Sequence, residues 1–255
     1  MITTVVFDYG GVISSPLFVG IGEFERAEGY PRGSLLELLF GEVHYVGVEG
    51  RSVAAALEQE LVDELADAVA ADPDALESSG EATDPPDWHL LETGTIDFAT
   101  YFERISRRAP SVLGRPIDLD AYARFMRTSA PGVHWMVVHK IRELRSRGLR
   151  LGLLTNNVKE FGEHWRATFP IDELFDEVVD SSHVGMRKPD PAIYLLLCDR
   201  MGISPGETAF VDDNADNVAA ARTLGMEAVH FREDPWAALH ELDGLLARRG
   251  VRAPR

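Results

Sequence analysis

The sequence predicts an α/β fold, a Rossmann-like parallel sheet with a mainly helical domain inserted after the first strand. Three observations predict it. A β-branched and aromatic run, Thr3 to Phe7, breaks abruptly into Asp8-Tyr9-Gly10-Gly11, as a buried strand does at a tight loop. From Pro131 onward, apolar runs of strand length alternate with segments of helical periodicity. Between about Pro16 and Ala130 that alternation is missing and helical patterns dominate. Strands alternating with helices imply right-handed crossovers and a parallel sheet covered on both faces.

Taken in order, the first strand ends where the carboxylate of Asp8 stands. Within the insertion, Arg51 to Val69 and Phe98 to Arg107 read as the clearer helices. Asp72 to Pro86 reads as a loop-rich interruption, with its Asp-Pro, Ser-Ser-Gly and Pro-Pro breaks. After Pro131, Val133, Met136, Val137, Ile141 and Leu144 recur at helical spacing up to Gly148, and Leu149 to Leu154 reads as the second strand. Further strands are expected at Glu177 to Val179, Thr208 to Val211 and Ala228 to Phe231. The intervening helices are expected over Lys159 to Thr168, Pro191 to Met201 and Asp216 to Leu224, each close to a Gly or Pro stop. The expected division is a core of residues 1–15 and 131–255 and a helical domain of 16–130 with an acidic insertion around 50–86.

A chain of 255 residues with 45% hydrophobic content can bury a sizeable core. Its single cysteine, Cys198, lies in the apolar run Tyr194 to Cys198 and reads as a buried thiol; no disulfide can form within the chain. The N-terminus lacks the basic and long apolar stretches of a signal peptide, and no later run is long enough to span a bilayer, so no membrane role and a cytoplasmic location are expected. A formal net charge of −17 argues against nucleic acid as a partner, because phosphate backbones are held chiefly by Lys and Arg. Much of that charge is local, since no Lys or Arg occurs between Glu58 and Asp97. Such a run reads as a solvated face or loop. The oligomeric state is left open by the sequence.

Ligands of open parallel sheets bind beyond the carboxyl ends of the strands, where Asp8, Thr155, Lys188 and Asp213 all fall. A carboxylate at Asp8, with the backbone of Tyr9 to Val12 curling beneath it, can attack phosphorus and split one hard hydrolysis into two displacements. Taken alone, an Asp after a strand is more often a loop-starting residue. Thr155-Asn156-Asn157 sets a hydroxyl and exposed N–H groups before a helix, suited to a phosphoryl oxygen or simply to a helix cap. Lys188 is fixed between Gly185 and Pro189, which could aim its ammonium at a transferring phosphate. The acidic cluster Asp212-Asp213-Asn214-Ala215-Asp216-Asn217 offers the hard oxygen ligands that Mg²⁺ prefers.

The order of these groups resembles the haloacid dehalogenase superfamily. Phe7-Asp8-Tyr9-Gly10-Gly11-Val12-Ile13, Gly185-Met186-Arg187-Lys188-Pro189-Asp190-Pro191-Ala192-Ile193-Tyr194 and Val211-Asp212-Asp213-Asn214-Ala215-Asp216-Asn217 are most similar to its glucose-1-phosphate phosphatase-like branch. They are also similar to the phosphatase-like domains attached to epoxide hydrolases and acyl-CoA dehydrogenases. The resemblance covers about residues 1–14 and 131–232. It implies Asp8 as nucleophile, and Mg²⁺ held by Asp8, the carbonyl of Gly10 and Asp213. Thr155 and Lys188 would bind the phosphoryl group, with Gly10, Gly11, Asn156 and His89 toward the substrate. Asp212 and Asn217 would serve the outer metal shell or orient Lys188, with Asp216 more remote. The insertion corresponds to a helical cap, in which Trp88, His89 and Glu92 could face a small phosphorylated substrate; packing accounts for Trp88 equally well.

One position departs from the pattern. Most phosphatases of the superfamily carry a second Asp two positions after the nucleophile, and this chain has Gly10 there. A positioned acid or base contributes about 10²–10⁴-fold, so the proton donor is left unassigned among His89, Glu92 and water. Three readings follow. They are a Mg²⁺-dependent phosphohydrolase, a phosphate-binding or scaffolding protein that has lost turnover, and a carbon–halogen hydrolase. The last would expect Tyr two positions after the nucleophile rather than at Tyr9. A backbone conformation closed to other residues is a further expectation at Gly10.

Overall fold

The computed structural model describes residues 1–16, 18, 20–40, 85–128, 132–232 and 234–251. Five parallel strands form one sheet in the order β3-β2-β1-β4-β5. These are β1 (Thr4–Phe7), β2 (Arg150–Thr155), β3 (Glu177–Asp180), β4 (Thr208–Asp212) and β5 (Glu227–His230). Each lies within a residue or so of its expected position. Phe7 pairs with Leu153 of β2 on one side and with Val211 of β4 on the other. The chain runs outward from β1 to β2 and β3, then returns across the sheet to β4. That reversal opens a crevice beside the carboxyl end of β1.

Alternation along each strand divides the core into two layers. Val5, Phe7, Leu151, Leu153, Ala209 and Val211 face one side. There they meet the helices Trp135–Ser146 and Pro235–Arg249 through Val137, Ile141, Leu242 and Leu246. Val6, Leu154 and Phe210 face the other side, against Ile193, Leu197 and Val218 of Pro191–Met201 and Ala215–Thr223. Cys198 is buried in this second layer, as expected. Burying a side chain of this size contributes roughly 1.5–3 kcal/mol, so helices on both faces stabilise the sheet that carries the site. The sequence sets the limits of Pro191–Met201 directly. Asp190 accepts from the Ala192 N–H, Pro191 occupies the first turn, and Gly202 closes the helix at φ 62°.

Between β1 and the core helix Trp135–Ser146, the described residues form a helical cap. Ile21–Glu28, Ser34–Phe40, Asp87–Glu92, Phe98–Val112 and Leu119–Thr128 are helical. Phe18, Phe24, Leu35, Leu38, Leu91, Tyr101 and Ile105 build a third apolar cluster there. Trp88 is part of it, its ring 5.7 Å from Phe18, 5.1 Å from Phe40 and 5.8 Å from Tyr101. Its role is therefore packing. The expected helix Arg51 to Val69 and most of the acidic insertion lie outside the described residues.

Two expected helices differ. Phe98–Val112 runs past Arg107 and through Pro110, because Ala109 and Leu113 are buried in the cap cluster and their burial offsets the one main-chain hydrogen bond that proline removes. Lys159 to Thr168 is not an α-helix. Only a 3₁₀ segment, Lys159–His164, forms, and it breaks at Gly162, whose φ of 55° and ψ of −148° no right-handed helix can continue. No helix among the described residues is long and apolar enough to cross a membrane.

Candidate active site

Asp8 follows β1 directly and is buried, with its side chain 10% exposed. Its Oδ1 accepts from the Tyr9 N–H at 2.7 Å and lies 2.8 Å from Lys188 Nζ. The same ammonium donates to Asp212 Oδ2 at 2.6 Å, so one buried cation bridges carboxylates from two neighbouring strands. Burial pushes the Asp8 carboxyl up to about 7, against the pull of Lys188, while the nearby Asp212 charge adds to the rise. Burial by itself would lower the Lys188 ammonium, but the Asp212 and Asp8 charges outweigh it and hold the group above its ordinary value. The lysine stays charged.

The main chain of Lys188 is fixed as firmly as its ammonium. Asn156 Oδ1 accepts from the Lys188 N–H at 2.9 Å, and Asn156 Nδ2 donates to the Lys188 carbonyl at 3.0 Å. The Asn156 amide is thus taken up by the protein itself. Thr155, the last residue of β2, is buried with its hydroxyl 3.4 Å from the Asn156 carbonyl. Asp212 is fully buried, and its Oδ1 accepts from the Asn214 N–H at 2.8 Å and from Asn217 Nδ2 at 3.0 Å. With both oxygens so engaged, Asp212 and Asn217 act on Lys188 and on the loop.

Carboxylate oxygens of Asp8, Asp212 and Asp213 lie within 4.8 Å of one another, the one such group among the described residues. Since both Asp212 oxygens are engaged, whereas the contacts of Asp8 to Lys188 and Tyr9 fall on its Oδ1, Asp8 and Asp213 are the carboxylates suited to a hard cation, which binds few carboxylates and keeps its waters. Gly11 makes room for this arrangement. It sits at φ +77°, and a Cβ there would lie 1.9 Å from Asp213 Oδ2. Gly10 is the opposite case. Nothing lies within 4 Å of an added Cβ, and its φ is outside the left-handed region, so the expected backbone constraint at Gly10 is absent. The constraint falls on Gly11. Asp216, expected to be more remote, is exposed at the start of its helix.

The cap residues divide. His89 is half-buried in Asp87–Glu92 and lies outside the acidic group. Glu92 is buried and accepts from Arg187 Nε at 2.7 Å. That contact commits a Glu92 oxygen to Arg187 of the core. Three contacts at the site went unread in the sequence. They are Arg187 with Glu92, His230 Nε2 with the Asp213 carbonyl at 2.8 Å, and His134 Nδ1 with the Val12 carbonyl at 2.9 Å. Arg187 stands beside Lys188 in a motif the sequence displays, yet no spacing rule joins it to a residue 95 positions away.

The haloacid dehalogenase-like hydrolase family matches residues 2–225. The chain is 29% identical to mouse acyl-CoA dehydrogenase family member 10 over 62% of its own length but only 15% of that protein. It is 27% identical to a sesquiterpene phosphatase of Aspergillus oryzae, covering 62% of this chain and 79% of the relative. Among solved structures, a Bacteroides thetaiotaomicron enzyme of the same superfamily, in complex with magnesium and inorganic phosphate, superposes with a TM-score of 0.52 at 18% identity, over 90% of this chain and 94% of that one. An L-2-haloacid dehalogenase superposes at 0.56 and 23% identity, over 90% and 86%. At these identities the structures establish the fold alone. With Asp8 at the end of the central strand, Lys188 between two carboxylates, and the family match running across both core and cap, the chain belongs to the haloacid dehalogenase-like hydrolases.

Proposed function

We propose that this hydrolase is a Mg²⁺-dependent phosphohydrolase acting on a small phosphorylated metabolite, with Asp8 as nucleophile. The observation that carries the reading is the Lys188 ammonium, 2.8 Å from Asp8 and 2.6 Å from Asp212. It supplies buried positive charge beside a carboxylate at the mouth of the sheet, which a transferring phosphoryl group needs. An Asp8 oxygen attacks phosphorus, the P–O bond to the leaving group breaks, and an aspartyl-phosphate remains. Water then attacks that phosphorus, phosphate departs, and the carboxylate is regenerated. Thr155, with the main chain of Gly10, Gly11 and Asn156, is assigned to the phosphoryl oxygens. Mg²⁺, held by Asp8, Asp213 and the Gly10 carbonyl, would supply Lewis-acid charge to the phosphoryl group. The domain division of 1–15 with 131–255 as core and 16–130 as cap belongs to the same proposal, the cap screening the leaving group from water.

The leaving oxygen's proton is assigned to water, since Glu92 Oε2 accepts from Arg187 and His89 lies outside the acidic group. Relatives named as phosphatases, in Aspergillus oryzae and Mycobacterium tuberculosis, support the phosphorylated substrate class. Gly10 favours a second reading, a phosphate-binding protein without turnover. Release of phosphate from a panel of phosphorylated metabolites, with and without Mg²⁺, tests both. The phosphohydrolase reading expects Mg²⁺-dependent release that Asp8→Asn abolishes without unfolding the chain. Mg²⁺-dependent binding with no release from any compound would establish the second reading instead.

A further inference from the structure

We propose that Glu92 and Arg187 form a positioning pair that ties the seating of the cap to the placement of Lys188. The inference rests on the role proposed above for Lys188 at the phosphoryl group. Glu92 ends the cap helix Asp87–Glu92, and Arg187 directly precedes Lys188 in the chain. Arg187 Nε donates to Glu92 Oε2 at 2.7 Å, with side chains only 12% and 8% exposed.

Several neighbouring contacts seat the same end of the cap. Ser181 Oγ donates to the Glu92 carbonyl at 2.6 Å and itself accepts from the Asn157 N–H at 2.9 Å. Gly94 approaches the core so closely that a Cβ there would lie 2.8 Å from the Ser182 carbonyl oxygen. The Phe98 N–H donates to Glu160 Oε1 at 2.9 Å. These contacts dock the cap on the loops after β2 and β3. The ion pair adds something they lack, a link through one peptide bond to Lys188.

That link has mechanical consequences. The Lys188 main chain is clamped by Asn156 and its ammonium is shared by Asp8 and Asp212, so a shift at Arg187 is not absorbed by a loose side chain. If Glu92 loses its charge, the 2.7 Å charged contact that holds Arg187 to the end of the cap helix is weakened, and Arg187 is free to shift relative to that helix. Adjacent Cα atoms across a trans peptide are held about 3.8 Å apart, so movement at Arg187 is felt at Lys188. The pair thus acts through Lys188 without touching the reacting atoms.

A double-mutant cycle with Glu92→Gln and Arg187→Gln tests the proposal in the full chain. Each single variant is expected to lower kcat by on the order of 10-fold to 100-fold, as small misplacements of a reacting group do, with the Mg²⁺ requirement unchanged. The double variant should be no worse than the worse single, because either substitution alone already removes the Glu92–Arg187 contact. Arg187→Lys should fall between wild type and Arg187→Gln, since it keeps the charge but loses the planar fork. Losses that multiply in the double variant, or a fall in rate accounted for by lost folded protein, would overturn the proposal. Hydrogen exchange provides a readout independent of turnover. Glu92→Gln, a cap substitution, should speed exchange in residues 185 to 190, and unchanged exchange there would sink the pair. A wild type that releases no phosphate from any substrate would count against the phosphohydrolase reading, and the exchange measurement would still decide the pair.

Discussion

Gly11 and Asp213 share a space that admits only one side chain. An added Cβ at Gly11 would lie 1.9 Å from Asp213 Oδ2, at a φ of +77° that L-residues avoid. Gly11 therefore determines where the carboxylate of Asp213, one residue past β4, can stand. Gly11→Ala is expected to cost about 1–2 kcal/mol of stability from the left-handed backbone alone. It should also displace Asp213 and lower activity by on the order of 10²-fold. Urea denaturation and phosphate-release assays on the same preparation separate the two effects, and wild-type activity in Gly11→Ala would contradict the assigned place of Asp213.

The neighbouring glycine should behave differently. An added Cβ at Gly10 has nothing within 4 Å, so Gly10→Asp should fold with stability within about 0.5 kcal/mol of wild type, as for substitutions that disturb no packing. In the wild type, aryl and acyl phosphates should outpace alkyl phosphates, because a leaving oxygen without a positioned acid departs faster as its conjugate acid strengthens. Gly10→Asp should flatten that dependence. A flat profile in the wild type would reveal an acid the structure has not assigned, with His89→Ala the next variant to assay.

Metal dependence separates two acidic residues of one cluster. Asp213→Ala should remove the rise in thermal midpoint that Mg²⁺ gives the wild type, since a ligand that binds only the folded state stabilises it in proportion to its affinity. Asp216→Ala should retain that rise, because Asp216 is exposed at the start of its helix. EDTA should abolish phosphate release. Equal loss of the Mg²⁺ response in both variants would mean that the ligands are misassigned.

Asp212 is expected to matter for stability as much as for rate. It is fully buried, pairs with Lys188 and accepts from Asn214 and Asn217. Asp212→Ala takes this acceptor from the Asn214 N–H and the Asn217 amide and leaves Lys188 paired with Asp8, and should cost about 1–3 kcal/mol, as an unsatisfied buried donor does. A denaturation midpoint unchanged from wild type would show that the bridge carries no such energy.

The sequence alone determined the sheet, its parallel sense and the loops that bear the candidate site residues. Those follow from local rules: β-branched runs at Val5–Val6 and Val178–Val179, caps such as Asp190 with Pro191, and polar residues immediately past apolar strands. The helix expected across Gly162 failed for a local reason too, because that glycine takes backbone angles that helical periodicity does not register. Tertiary structure alone decided what each polar side chain does. Asn156 turns to the Lys188 backbone, Asp212 to the Lys188 ammonium, and Glu92 to Arg187. It also decided which of two adjacent glycines is sterically required. These outcomes depend on distances between atoms 24 to 95 residues apart in the chain, set by the packing of β1, β2 and β4 side by side and of the cap upon them.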